Sequence, residues 1–274
     1  MRRFLKTPRR GVRRTSEKNG CQMQLIRLFF QIFFIEAVLY HSILFSMGAS
    51  YKNCESFCPF GAVETLVLFI KNGRFPCAIN ELNYAIFFGV ILLCLFFKRI
   101  FCSWVCPLGA VNEFLTFVRS KIIKYENPYE RIMSALGSIK YILLVFIAYV
   151  TYVNYDLVFR PYCPYFTAFG IHGHTTNVLS YFVLANILLL TLTIKLGFCR
   201  VLCPFGAFLS IFNSKTVFKI YRDEKACVNC AQCDKACYNG IAVSRETRIE
   251  SRECSLCLRC VSACASRSAL KIGM

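Results

Sequence analysis

The chain has 274 residues, 56% of them apolar, and 33 Lys or Arg against 15 Asp or Glu give a formal charge of +18. That length leaves room for one or two domains. So apolar a chain with so large a charge is not a uniformly water-exposed globule, and the uneven placement of the charge decides the class.

Residues 1–24 form a basic segment with Arg2, Arg3, Lys6, Arg9, Arg10, Arg13, Arg14 and Lys18 against Glu17. Arg2-Arg3-Phe4-Leu5-Lys6 only faintly resembles a twin-arginine export signal, because the residue between the arginine pair and Phe is missing. The apolar stretch behind it is long for a signal core and has no A-x-A cleavage site, so it reads as a retained anchor. Four nearly charge-free stretches follow, over about 25–47, 82–97, 139–153 and 178–196. A membrane-crossing helix needs roughly 20 mostly apolar residues. The second and third stretches are short at their apolar centres and draw on flanking residues.

Of the 33 basic residues, 29 fall on one side of such a four-span arrangement, and Lys52, Lys71, Arg74 and Arg160 fall on the other. The positive-inside rule puts the richer side in the cytoplasm. The expected protein is therefore a mainly α, multi-pass protein of the cytoplasmic membrane, with lipid as a partner and both termini in the cytoplasm. Topology accounts for the charge bias, and no nucleic-acid partner is needed.

The first span carries Glu36, with Tyr40 four residues on and His41 beside it. A carboxylate inside a span is costly and is by default a functional candidate. Glu36 is the candidate proton group for chemistry that moves protons with electrons. A hydrogen bond to Tyr, His or Asn186 within the bundle is the competing, structural role.

Comparing the chain with itself exposes a duplication. Phe101-Cys102-Ser103-Trp104-Val105-Cys106-Pro107-Leu108-Gly109-Ala110 follows the second span, and Phe198-Cys199-Arg200-Val201-Leu202-Cys203-Pro204-Phe205-Gly206-Ala207 follows the fourth. A third copy, Cys54 to Ala62 with Cys58-Pro59, follows the first span, and a degraded copy, Tyr162-Cys163-Pro164-Tyr165, follows the third. The expected architecture is a duplicated helical hairpin packed as four helices over residues 25–212. Proline suits the first turn of a helix. The cysteine before it then meets the partial positive charge of a helix N-terminus, which favours thiolate. Three readings stand for Cys102, Cys106, Cys199 and Cys203: a metal-binding quartet, redox thiols, or cysteines that cap and pack helices. Cys54, Cys58, Cys77 and Cys163 are expected on the outer side, where a cross-link of Cys54 or Cys58 with Cys77 is the favoured reading. Cys21 and Cys94 are expected to be inert. His172 and His174 form an outer His-x-His that reads as ordinary loop.

The tail, residues 213–274, holds two matching runs, Cys227-x2-Cys230-x2-Cys233-x3-Cys237 and Cys254-x2-Cys257-x2-Cys260-x3-Cys264. This is the spacing of a bacterial two-cluster ferredoxin and implies two [4Fe-4S] clusters in a small α+β domain. The expected ligand sets are Cys227, Cys230, Cys233 with Cys264, and Cys254, Cys257, Cys260 with Cys237. Zinc or a disulfide framework would explain one such run poorly and two worse. Tyr238 and Ala265 stand where proline usually follows the fourth cysteine. Val243, Ile249, Leu270 and Ile272 are expected in small strands. The stretch 213–222 is expected to be a linker, with Lys215, Lys219 and Arg222 against lipid headgroups.

Two C-x3-C-P-x-G-A motifs followed by a two-cluster tail resemble the membrane polyferredoxins of the NapH type, with related cores in NosR-type and CcoG-type proteins. The resemblance covers about residues 25–270. It implies an electron carrier between the membrane quinone pool and a soluble or membrane redox partner, as the electron-transfer subunit of a quinol oxidoreductase. It also makes Cys102, Cys106, Cys199 and Cys203 the family's membrane-edge cysteines. The chain departs from that pattern in its outer cysteines. A maturation factor feeding electrons to a client metallocentre or disulfide is the alternative, and a membrane redox sensor ranks last. No G-x-G-x-x-G, Walker A, HExxH or nucleophile-elbow motif points to a substrate-converting enzyme.

Overall fold

The computed structural model describes residues 10–48, 57–72, 81–122, 136–155, 157, 159–170, 178–213, 216–266 and 269–273, with side chains from residue 22 onward except 72, 81, 82 and 160. Cys54, Cys77, His172, His174, Lys215 and the side chain of Cys21 lie outside the described residues.

The chain is mostly helical. It runs through α1 (Arg10–Ser46), α2 (Pro59–Asn72), α3 (Glu81–Phe97), the short α4 (Ile100–Trp104) and α5 (Pro107–Ile122). The order then repeats with α6 (Ile139–Asn154), α7 (Pro164–Phe169), α8 (Val178–Thr193), a π turn at Phe198–Leu202 in the place of α4, and α9 (Pro204–Phe212). The four apolar stretches fall on α1, α3, α6 and α8. Among the described residues, α1 is long and apolar enough to cross a membrane, over Gln22–Ser46, while Asn83–Phe97, Ile139–Asn154 and Val178–Thr193 are shorter apolar helices. At 1.5 Å per residue such a helix reaches about 24 Å, less than the ~30 Å of a bilayer's hydrocarbon core. All four expose large apolar side chains outward, among them Phe29, Phe33, Phe88, Phe146 and Phe182. A belt of this extent exceeds what soluble monomers expose.

The duplication is visible in the backbone. Lys98 (φ 58°) and Leu196 (φ 51°) take left-handed conformations just after α3 and α8, at matching points of the two halves. That conformation is costly for residues with a Cβ, and here it turns the chain sharply into α4 and into the π turn. The packing is also repeated. α1 meets α5 of its own half and α7 of the other, and α6 correspondingly meets α9 and α2. α3 pairs with α2 and α9, and α8 with α7 and α5. The repeated unit is larger than the expected helical hairpin. Each unit has five segments, and its first long helix packs on the other unit's short helix.

The chain from Asn213 is not a free linker. The Phe218 amide donates to the Phe96 carbonyl (2.9 Å), and β1 (Lys219–Arg222) pairs antiparallel with β2 (Leu270–Gly273). Lys219 is buried and bonds Glu250, so it does not face headgroups. Leu270 and Ile272 lie in β2, Ile249 donates its amide to the Ile220 carbonyl beside β1, and Val243 is buried outside any strand. Two short helices complete the tail, α10 (Gln232–Ala236) and α11 (Arg259–Ser262), and α11 lies on α1.

The tail is fastened through buried charge. Glu113 on α5 accepts from Arg27 and Gln31 of α1 and from Arg259 of α11 (Nη2 at 2.5 Å). Arg259 also lies over the Tyr238 ring, 4.1 Å from its centroid, so this tyrosine has a packing role where a ferredoxin would have proline. Breaking a buried pair by removing one partner leaves an uncompensated charge. Glu113→Ala should therefore cost about 3–5 kcal/mol, read as a lower thermal midpoint in detergent and earlier proteolysis of the tail. Glu113→Gln, which can still accept from Gln31, should cost less.

Candidate metal centres

Both tail loops wrap in the same way. Asn229 and Ala231 flank Cys230, Leu256 and Leu258 flank Cys257, and all four are left-handed (φ 50–59°). Alternating left- and right-handed residues aim successive amides into a concavity suited to an anion, as at phosphate and iron–sulfur sites. Cys227, Cys230, Cys233 and Cys264 line one small recess. Cys237, Cys254, Cys257 and Cys260 form a second group, within electrostatic reach of one another. Each group joins three thiols of one run to the fourth of the other, as the spacing predicts. Among the described residues no three His, Cys, Asp or Glu side chains close tightly enough for a single ion.

The donor set fits an anionic cluster. Burial pushes the Cys233 and Cys237 thiols up to about 11 and raises Cys254, Cys260 and Cys264 as well. Without iron these thiols stay protonated at neutral pH, so cluster binding must release protons. The Lys98 ammonium is fully buried, has no hydrogen-bond partner, and lies within electrostatic reach of Cys254. Glu250 and Glu246 also lie within electrostatic reach of it; a buried cation without a hydrogen bond is nonetheless expensive, and a thiolate-ligated cluster beside Cys254 would add counter-charge.

Where the tail meets the helices, one ligand loop takes most of the contacts. Ser103 Oγ donates to the Ser255 carbonyl (2.7 Å) and Trp104 Nε1 to that of Leu256 (3.3 Å). Asn213 Nδ2 holds the Cys254 carbonyl (2.9 Å), and Gln24 and Arg27 both reach that of Cys257 (3.2 Å). The second half contributes Arg200, packed against Gly240 three residues after Cys237. The first C-x3-C loop thus bonds the Cys254–Cys257 loop, and the second reaches the tail at Gly240, beyond Cys237. Glu253 receives Lys140 (2.6 Å) and Arg99 (3.2 Å). Burial alone would raise its carboxyl, but the two cations outweigh burial and the net shift is downward.

Arg99 also lines a cavity of about 80 Å³ between the two halves, several times the space one water needs. Cys102, Cys106, Cys199 and Cys203 face it together, with Phe60, Phe101, Phe198 and Phe205 as apolar walls. The quartet that the sequence left open is therefore one spatial group. Helices α2, α5, α7 and α9 begin at Pro59, Pro107, Pro164 and Pro204. Cys106 Sγ accepts from the Gly109 amide (3.4 Å) and Cys203 Sγ from that of Gly206 (3.3 Å). Only glycine fits at 109, since a Cβ there would stand 2.2 Å from the Cys102 carbonyl oxygen. Cys58 and Cys163 line the same cavity as free thiols in mutual contact. This corrects their assignment to the outer surface and the cross-link of Cys58 with Cys77. The recurrence of Cys-Pro in all four copies was the available signal. Lys98, Arg99, Lys140, Glu113 and Glu253 had been read only as topology or not at all.

The 4Fe-4S binding domain family matches the chain twice, over residues 80–126 and 176–222. The matches fall on the two C-x3-C-P halves, Cys102/Cys106 and Cys199/Cys203. YccM of Escherichia coli K12 is 27% identical over 230 residues, 80% of this chain and 63% of its own length. The uncharacterised protein MJ0750 of Methanocaldococcus jannaschii is 30% identical over 210 residues, 76% of this chain and 82% of its own. The ferredoxin-type protein NapH of Escherichia coli K12 is 26% identical over 207 residues, 72% and 69%. This chain belongs to the NapH-type family of membrane ferredoxins. Iron–sulfur electron transfer is the function that NapH-type membership supports. The chain spans less than two thirds of YccM, and no solved structure matches it.

Other expected residues are dispersed. Glu36 is exposed on the outer face of α1 and does not line the cavity. Asn186 donates to its own helix at the Phe182 carbonyl. His41 stacks near Phe57, a cavity residue, at 5.0 Å between centroids. Cys94 is buried, as expected, and lies outside the cavity lining.

If the Cys254 group holds a cluster, Lys98→Met should lower that cluster's midpoint potential on the order of 50–150 mV, at about 59 mV per 1.4 kcal/mol for one electron. The other cluster should move far less, as potentiometric EPR would show.

Proposed function

We propose that this chain is a multi-pass membrane electron carrier that links a lipid-soluble quinone to a redox partner through three metal centres. Two [4Fe-4S] clusters would be held in the tail by Cys227, Cys230, Cys233 and Cys264, and by Cys254, Cys257, Cys260 and Cys237. A third centre would sit in the cavity, with Cys102, Cys106, Cys199 and Cys203 as donors. Bound iron–sulfur groups supply one-electron chemistry, and the protein supplies ligation, burial and orientation. The observation that supports the reading is the pair of contacts the C-x3-C loops make with the tail, Ser103 and Trp104 on the Cys254–Cys257 loop and Arg200 on Gly240, three residues after Cys237. Those contacts make the Cys254 group proximal and the Cys227 group distal, on the side open to a partner.

The side chains have definable tasks. Arg99 and Lys140 hold Glu253 and so hold the proximal loop on the cavity. Arg99 additionally donates to Ser210 Oγ (2.6 Å), which fixes its charge beside the thiols. A groove of about 470 Å³ between α6 and α8, lined by Leu143, Tyr162, Phe182 and Asn186, shares Phe159, Pro164 and Phe198 with the cavity wall. Its size and apolar character suit a quinone head group, and it offers a shorter approach to the thiols than the outer face bearing Glu36. The apolar belt and the charge bias support a membrane setting with the tail in the cytoplasm. The maturation-factor alternative relies on Cys54 or Cys58 reaching a client, and Cys58 turned towards Cys163 in the cavity weakens it for Cys58.

Anaerobically purified protein should carry more iron and acid-labile sulfide than the roughly eight of each that two cubanes hold. In proteoliposomes a quinol analogue should reduce the tail clusters. Cys102→Ser with Cys199→Ser should slow that reduction at least about tenfold, a loss of ~1.4 kcal/mol or more in barrier terms, with dithionite reduction intact. Eight irons, or an unslowed variant, would remove the third centre from the route. Glu36→Gln should leave the rate within about twofold, as an outward-facing group predicts.

A further inference from the structure

The cavity holds more sulfur than the C-x3-C quartet. Cys58 and Cys163 line it too, and Cys58 lies within electrostatic reach of Cys106. Their sulfurs are placed as those of Cys106 and Cys203 are. Cys58 is within hydrogen-bonding reach of the Phe60 and Gly61 amides, and Cys163 of those of Tyr165 and Phe166. Cys58 matches Cys163, and Cys106 matches Cys203, under the internal repeat.

Helix capping does not explain four cysteines here. Ser, Thr, Asn and Asp cap better, and sulfur is a weak acceptor. In the fourth copy Gly-Ala has become Phe166-Thr167, yet Cys163-Pro164 remains. Apart from Arg99, the lining offers little but apolar side chains and thiols, so water is poorly accommodated. Three helices of nine residues or more, α2, α5 and α9, start at this cavity, and their N-termini together with Arg99 favour an anionic occupant.

We infer that Cys58 and Cys163 are ligands of the cavity centre, which makes it a six-thiol site for a polynuclear iron–sulfur group. This rests on the reading of the cavity as a metal–sulfur site. Loading a preassembled iron–sulfide core forms an iron–sulfur bond at each thiol and releases that thiol's proton, with no net electron exchange.

The test uses full-length, ⁵⁷Fe-labelled protein purified anaerobically in detergent. Cys58→Ser, Cys163→Ser and the double variant are compared with wild type, and Cys94→Ala serves as a buried-cysteine control. The double variant should lose the iron above the tail's complement of about eight, together with the matching Mössbauer component. Each single variant should shift that component. The EPR of the tail clusters should persist in all of them, which reports an intact fold. If the double variant fails to fold, the two single variants decide by the same component. A double variant, or failing that both single variants, with wild-type iron and an unchanged component would overturn the assignment of Cys58 and Cys163 alone. Wild-type protein with only the tail's iron would overturn the third centre as well. A Cys58–Cys163 disulfide in the native protein, seen by mass spectrometry, would also overturn the ligand role.

Discussion

Four helices begin inside an apolar interior, and a helix that starts there must satisfy its first amides without water. Proline removes one of them by having no N–H, and the preceding sulfur accepts another. Cys106 and Cys203 do this through N–H···S contacts from Gly109 and Gly206. Much of the architecture follows from that constraint. The short helices run away from a common centre, the long helices cross between halves to cover them, and the sulfurs that satisfy the amides are left facing one cavity. Sulfur is a weak acceptor for that task, so cysteine at all four helix starts points to a second role for the thiols at the cavity they share.

Buried positive charge is the second organising element. Lys98, Arg99 and Lys140 are almost wholly enclosed at the junction with the tail, and Glu253 is the acidic partner that Arg99 and Lys140 share. An interior with more cations than anions is costly unless something anionic is bound there. Thiolate-ligated iron–sulfur groups on both sides of the junction would balance it. Stability, cluster binding and the docking of the tail are then parts of one electrostatic arrangement, with Glu113 fastening the other edge through Arg27 and Arg259.

The two tail groups have unequal surroundings despite equal spacing. The loop from Cys254 to Cys257 is bonded to α1, α4 and the end of α9, whereas Cys227, Cys230 and Cys264 of the other recess are partly exposed. Potentials of such centres depend on hydrogen bonding, burial and nearby charge. The same ligand chemistry is thus set in two environments, one enclosed beside Lys98 and one open towards solution.

Local order in the chain was enough to settle the tail's two loops, because three closely spaced cysteines can only wrap one body, and the structure groups the eight thiols as their spacing requires. It also marked the four long apolar helices and the helix starts at Pro59, Pro107, Pro164 and Pro204, since hydrophobic runs and proline act within a few residues of themselves. The joining of Cys58 and Cys163 to the other four thiols was decided only by tertiary structure. Hydropathy assigns residues to one end of a span or the other and has no term for a loop that turns back into the bundle. The burial of Lys98, Arg99 and Lys140 was hidden for the same reason: a basic residue at the end of an apolar run looks like a topology signal until the partner that covers it is in place.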